Sequence, residues 1–299
     1  MALLVRRFAF LLLLLAPLLL ALPALAAVFT VTKTTDGNDG VCDEDCSLRE
    51  AVQAAHLDLA PNATVIVPPG TYHLSMPPPD RIINNPGDGS GGNIVVNRKL
   101  TITGAGRDLT IIDARPPIGG AGVDRVLAVF VAGDLTLSGV TLTGGFLASE
   151  LENGAGVQVL GGRLAISDSA IVGNLSNGAA GGMMVANRLA DPAVVTILRT
   201  EVADNFSIGG GGGLFTINST VSVVDSTFRN NRSVRAGGGG AINMDSGTRM
   251  NTPQALLTVS GSTFAGNVSG NPAIDAFAGG VGGGLFNSGG RMVVVNSTI

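Results

Sequence analysis

"VSVVDSTFRNN", residues 221–231, decides the fold, because its pattern returns along the chain in a form that no helix would need. Val221, Val223 and Phe228 are apolar, Asp225 and Ser226 interrupt them, and Asn231 closes the run. Related segments are "DSAIVGN" (168–174), "RTEVADN" (199–205), "GSTFAGN" (261–267) and the terminal "NSTI" (296–299), with a degenerate copy in "GVTLTGG" (139–145). Aligned on the closing position, successive copies stand 29, 31, 26, 36 and 35 residues apart. Columns that were not used in the alignment test it. Ten residues before that position stand Leu135, Leu164, Val195, Val221, Leu257 and Met292, and eight before it Leu137, Ile166, Ile197, Val223, Val259 and Val294. Three before it stand Leu142, Ile171, Val202, Phe228, Phe264 and Ile299. Every one is apolar, and the i, i+2 alternation is that of a strand with one face buried.

Each repeat also carries glycines followed by an apolar residue, as in Gly209 to Gly213 before Leu214, or Gly237 to Gly240 before Ala241. One repeat therefore reads as strand, Ser/Thr bend, short strand, Asn turn, Gly corner, third strand. So short a strand cannot bury its inner face alone, and successive turns must stack. A period near thirty then brings parallel strands about 4.8 Å apart. The expected fold is all-β: a right-handed parallel β-helix. In its turns Asn174, Asn205, Asn231 and Asn267 are expected to form a ladder, tolerating left-handed backbone and pairing their amides. Several of these Asn also read as N-x-S sequons, as Asn62, Asn218 and Asn296 head sequons, so glycosylation is the rival reading.

The chain has 299 residues, and its first 26 carry Arg6 and Arg7, an apolar run from Phe8 to Leu22 and an Ala24-Leu25-Ala26 ending. That is the anatomy of a secretory signal peptide. Removing it takes the formal charge from −4 to −6. Charged residues make up only 13%, so no electrostatic footprint for nucleic acid exists. With 45% hydrophobic residues, disorder is excluded as well. The expected division is a signal peptide at 1–26, an N-terminal clasp and cap at 27–63, and the β-helix over 64–299.

The clasp is "VCDEDCSLREAVQAA" (41–55), which holds both cysteines of the chain, Cys42 and Cys46. In an exported protein a disulfide is the expected reading, stabilising by about 2 kcal/mol for so short a loop. Calcium on Asp36, Asp39, Asp43, Glu44 and Asp45 is the alternative, although "DGNDG" lacks a full ligand spacing; zinc or redox chemistry is the third. Ser47 to Glu50 is a capping box, and Leu48, Ala51, Val52 and Ala55 share one helical face, so Ser47 to His56 is expected to plug the first rung.

"FRNN" (228–231), "FAGN" (264–267) and "GGAI" (239–242) resemble the paired F-x-x-N and G-G-A-I repeats of chlamydial polymorphic outer membrane proteins. That resemblance covers about residues 135–299 and implies a β-helical adhesin passenger. "CSLREAV" (46–52) with "VIVPPGTYHL" (65–74) is similar to bacterial proteins known by a Cys-Ser-Leu-Arg-Glu-Ala motif, which implies a pectin-lyase-like β-helix.

Candidate chemistry is sparse. Asp168, Arg199 and Asp225 share one column on consecutive rungs and are the residues an enzyme would use; a solvated charge ladder is the simpler reading. Asp204, Asp245 and Asp275 read as isolated turn or loop acids, and His56 and His73 as packed or solvent-facing. Two excursions, Ser75–Gly92 and Gly270–Gly280, project from the coil. Aromatics, at 4%, are few for a sugar-binding platform. The expectation is a secreted or surface-held, non-catalytic scaffold of adhesive character. It needs no cofactor, its partner is an extracellular polysaccharide or protein, and it is monomeric when complete. A polysaccharide lyase or glycoside hydrolase is the alternative. Because "NSTI" stops mid-rung, 1–299 is expected to be a fragment that lacks further rungs and a C-terminal cap or membrane anchor.

Overall fold

The computed structural model describes residues 26–58, 62–78, 89–189, 191–235, 238–246, 255–270 and 282–299. Residues 1–25 of the expected signal peptide, residues 79–88 of the first excursion and 271–280 of the second lie outside them. The described chain winds into four parallel sheets of nine, seven, seven and five strands, a right-handed parallel β-helix.

The apolar columns are the strand register. Leu164 is the Cα partner of Leu135 and Val195, Ile166 that of Leu137 and Ile197, and Ile171 that of Leu142 and Val202. Phe228 lies over Phe264, ring centroids 5.1 Å apart and stacked. All three inward columns are buried from the rung of Leu135 to that of Leu257. The last rung differs, with Val294 38% and Ile299 66% exposed, because nothing among the described residues packs on its far side.

Two elements exceed the expectation. Val28–Thr30 pairs with Ala63–Val67 as the first strand of the nine-stranded sheet, so the clasp segment is itself part of the coil. A fourth strand of two residues also follows each Asn turn: Phe146–Leu147, Leu175–Ser176, Phe206–Ser207, Arg232–Ser233 and Val268–Ser269. Its serines point inward, and Ser176, Ser207 and Ser233 are fully buried. Ser207 Oγ donates to the Gly209 carbonyl (3.0 Å) and Ser176 Oγ to Glu152 (3.1 Å).

The Asn ladder joins the rungs. Nδ2 of Asn174, Asn205 and Asn231 each donates to Oδ1 of the next Asn, all at 3.0 Å. The same oxygens accept the preceding Asn backbone amides at 3.1, 3.2 and 3.0 Å. The second Nδ2 hydrogen reaches back to the preceding rung, from Asn205 to the Ile171 carbonyl (2.9 Å) and from Asn231 to that of Val202 (2.8 Å). These Asn are not the left-handed residues of the turn. That role falls one position earlier, on Gly144, Gly173, Asp204, Asn230 and Gly266, whose φ lies between +54° and +74°. Asn174, Asn205 and Asn231 are 1%, 1% and 0% exposed, so in the folded chain they are closed to glycosylation.

A second ladder runs parallel to the first. Oγ of Ser169, Ser226, Ser262 and Ser297 accepts the amide of Val140, Thr200, Ser226 and Ser262 respectively, at 3.1–3.3 Å. Each hydroxyl also donates to the carbonyl two residues before it, at 2.7–2.9 Å. Bend amides that no strand pairs with are thus satisfied by the rung above.

The helix spans Leu48–Leu57 and packs against the strands Val28–Thr30, Ala63–Val67 and Ile94–Val96. Leu48, Ala51, Val52 and Ala55 join the main core.

Asn205 sits mid-ladder, and Asn205→Ala strands the Asn174 amide and side chain and removes a donor to Asn231. At about 1–3 kcal/mol per orphaned buried group, the substitution is expected to cost at least ~3 kcal/mol in urea unfolding. Asn296→Gly, on the exposed last rung at a left-handed φ of +47° that glycine accepts, should cost less than ~0.5 kcal/mol in the same assay.

Candidate functional site

Cys42 and Cys46 form a disulfide, and the residues after it are structural to an extent their motif did not reveal. Ser47 caps the helix: the Glu50 amide donates to Ser47 Oγ at 3.2 Å, and the Ser47 amide to Glu50 Oε2 at 2.7 Å. Glu50 also accepts the Asp39 amide (3.1 Å) and pairs with Lys33 (3.3 Å). Arg49, which stands outside the apolar face of Leu48, Ala51, Val52 and Ala55, is nonetheless fully enclosed. Its side chain and that of Asp36 are each 1% exposed, joined by a two-point ion pair at 2.9 and 3.0 Å. The clasp acids serve their own turns, Asp39 accepting from the Val41 amide (2.9 Å), Asp43 from the Asp45 amide (3.2 Å), and Asp45 pairing with Lys33 (3.0 Å). Among the described residues no group of three His, Cys, Asp or Glu side chains converges to hold a metal.

His56 ends the helix, and burial together with the nearby Arg98 guanidinium pushes its pKa down to about 4. Its carbonyl accepts from Arg98 Nη1. His73 lies in the first short strand, Nδ1 2.9 Å from the Arg115 carbonyl. The two imidazoles serve different elements and do not form a ligand pair.

The acid-base-acid column is real, but its positions are not outward strand positions. Asp168, Arg199 and Asp225 have φ of +51°, +44° and +48°, the left-handed bend that Gly139 and Gly261 occupy on the flanking rungs. Arg199 grips both carboxylate oxygens of Asp168 at 2.7 Å and holds that carboxyl below its usual range. Both side chains are about half exposed. Asp204 is not isolated: Arg229 pairs with it at 3.0 Å and with Glu201 at 2.5 Å. Around these groups lies an open groove of about 480 Å³ lined by Arg107, Arg199, Glu201, Asp225, Thr227 and Arg229. Within it the Asp225 carboxylate and the Arg107 guanidinium have no hydrogen-bond partner among the described residues. Asp225 does act electrostatically on Arg199, and Arg107 on Asp168. Of these groove residues the sequence named only Arg199 and Asp225; Arg107 was missed, as were Glu201, Thr227 and Arg229, two to four places past the bend. The signal for the last three was the outward alternation of the short strand.

No family model and no curated protein matches the chain. Among solved structures it is similar to the Escherichia coli protein YbhC, at 14% identity over 94% of this chain and 87% of that one, TM-score 0.47. It is also similar to carrot pectin methylesterase, at 16% over 91% and 82%, TM-score 0.46. A pectin methylesterase in complex with a hexasaccharide is a third such structure, at 12% over 91% and 78%, TM-score 0.44. The parallel coil rests on its own strand pairing, and these likenesses extend no further than the fold.

Two outcomes follow from the local physics. His56 has its folded pKa depressed from 6.5 to about 4, so the stability it contributes is complete above about 6.5. That stability is lost as pH falls through about 4, and His56→Gln should flatten the acid limb of thermal stability over that window. At Arg199 a glycine relieves the left-handed backbone by about 1 kcal/mol and forfeits a surface ion pair that water largely screens. Urea unfolding of Arg199→Gly should therefore match the parent within ~1 kcal/mol, whereas Arg199→Val, β-branched at positive φ, should lose about 2 kcal/mol.

Proposed function

We propose that the chain is an exported, non-catalytic β-helical scaffold that presents an adhesive surface to an extracellular polysaccharide or protein. The observation that carries this reading is the fate of the charged column. The Asp168 carboxylate is occupied at both oxygens by Arg199, and Arg229 is divided between Glu201 and Asp204. Catalysis at an outward face needs groups that are free to exchange protons or to meet developing charge. Here most of them neutralise one another across rungs. The F-x-x-N and G-G-A-I tetrapeptides, which resemble those of chlamydial surface proteins, support the same reading. So does the disulfide, which persists in oxidising compartments.

A second reading has one observation in its favour: Asp225, without a hydrogen-bond partner, faces the groove beside Arg199. A carboxylate next to a guanidinium suits proton abstraction from a uronic acid or acid-base work at a glycosidic bond, which makes a polysaccharide lyase or glycoside hydrolase the alternative. The mature chain, incubated with polygalacturonate, should give neither unsaturated products nor new reducing ends, and it should be retained on a polysaccharide or matrix-protein array. Turnover that Asp225→Asn abolishes would establish the enzyme instead.

A further inference from the structure

The Asp36–Arg49 pair does more than close a charge. Arg49 uses every face of its guanidinium. Beyond the two bonds to Asp36, Nη1 donates to the carbonyls of Gly89 (3.0 Å) and Asn93 (3.3 Å), and Nη2 to that of Gly92 (2.7 Å). Gln53, one helical turn on, donates to the same Gly89 carbonyl (3.0 Å), and Asn38 to that of Ser90 (3.2 Å). The segment 89–93, through which the chain returns from its first excursion, is thus held almost carbonyl by carbonyl. On the outgoing side Asp36 Oδ2 accepts the amides of both Ser75 and Met76, each at 3.0 Å. The two sides are closed on each other by the Gly92 amide, which donates to the Met76 carbonyl (2.8 Å). Gly89 and Gly92, at φ +78° and +63°, supply the left-handed turns that aim these carbonyls at the helix.

The geometry points to a latch: the buried Asp36–Arg49 pair fixes both sides of the excursion between Met76 and Gly89 to the N-terminal helix. Arg49 is its positioning residue, and the neighbouring disulfide is not part of it. None of the bonds that reach 75–76 or 89–93 comes from the disulfide loop 42–46. Among the described residues they come from Asp36, Asn38, Arg49 and Gln53, and on the far side from Asp124, whose Oδ2 accepts the Asn93 amide (3.2 Å). The described ends of the excursion, Ser75–Met76 and Gly89–Asn93, are therefore held from the N-terminal side by side chains 36 to 52 places away in sequence. A lysine at 49 cannot substitute, because one ammonium has neither the fork that meets both carboxylate oxygens nor the reach to three diverging carbonyls.

Amide hydrogen exchange on the mature chain tests this directly, because the Ser75, Met76 and Gly92 amides are themselves members of the latch. In Arg49→Lys these amides should exchange at least tenfold faster, while those of the core strand Val194–Leu198 stay within twofold of the parent. Asp36→Asn, which keeps the side-chain shape and removes the charge, should give the same local pattern and serves if the lysine variant does not fold. Reducing Cys42–Cys46 with an excess of dithiol, which supplies the two electrons and two protons for the thiols, should leave the three amides protected. Acceleration spread evenly over all strands would make Arg49 a general stabiliser and overturn the proposal. So would no acceleration in either variant, or an equal release on reduction.

Discussion

A parallel coil pairs its strands readily but strands its turns. Where the chain bends between Val202 and Phe206 it carries amides and carbonyls into the interior that no strand edge meets. Asn205 accepts from the preceding rung at Asn174 and donates to both neighbours, to the Ile171 carbonyl and to Asn231 Oδ1. Leaving such groups unpaired costs more than a typical hydrogen bond returns, so the stacked asparagines are a condition of the fold rather than an addition to it. Their geometry also sets the register, since an Asn one residue out of step would face solvent and miss its partner. The hydroxyl ladder from Ser169 to Ser297 does the same work at the other bend. Repeats of 26 to 36 residues are tolerated because the extra length is confined to segments between ladders, where nothing must align.

The ends of such a coil pose a different problem. At the N-terminal side the helix Leu48–Leu57 brings an apolar face to the first rungs, but its polar residues decide how it sits. Glu50 and Ser47 tie it to the clasp, and Arg49 ties it through Asp36 to a segment far along the chain. A fully desolvated ion pair is costly unless every donor is satisfied, and here each guanidinium nitrogen has an acceptor. The outward charges on the coil behave oppositely. Asp168, Arg199, Glu201 and Arg229 remain in water and pair across rungs at short range, which lowers mutual repulsion and adds little stability.

The inward columns were legible because burial of one strand face leaves a period of two in the residues themselves, and eighteen aligned positions are apolar. The capping box was legible for a similar reason, being a contact between residues three apart. Less could be read of the turns. Asn205 was expected to be the left-handed residue, yet Asp204 takes that backbone and leaves Asn205 free to face inward. The two-residue strands were missed because two residues carry no periodicity. Their serines resembled part of a glycosylation signal until burial showed them to be a core column.

What the sequence determined by itself is what neighbouring residues decide together: the alternation of strands, the bends, the helix start and the disulfide between cysteines four apart. Tertiary structure decided what depends on residues a rung or more away. Arg49 in the sequence is one charged residue on an amphipathic helix, and nothing near it announces that Asp36, Gly89 and Gly92 will enclose it. Glu201 and Arg229 become a pair only when the coil places their strands side by side. Hydrogen bonds and ion pairs act over a few ångströms, and only the folded coil brings groups so far apart in the chain to that distance.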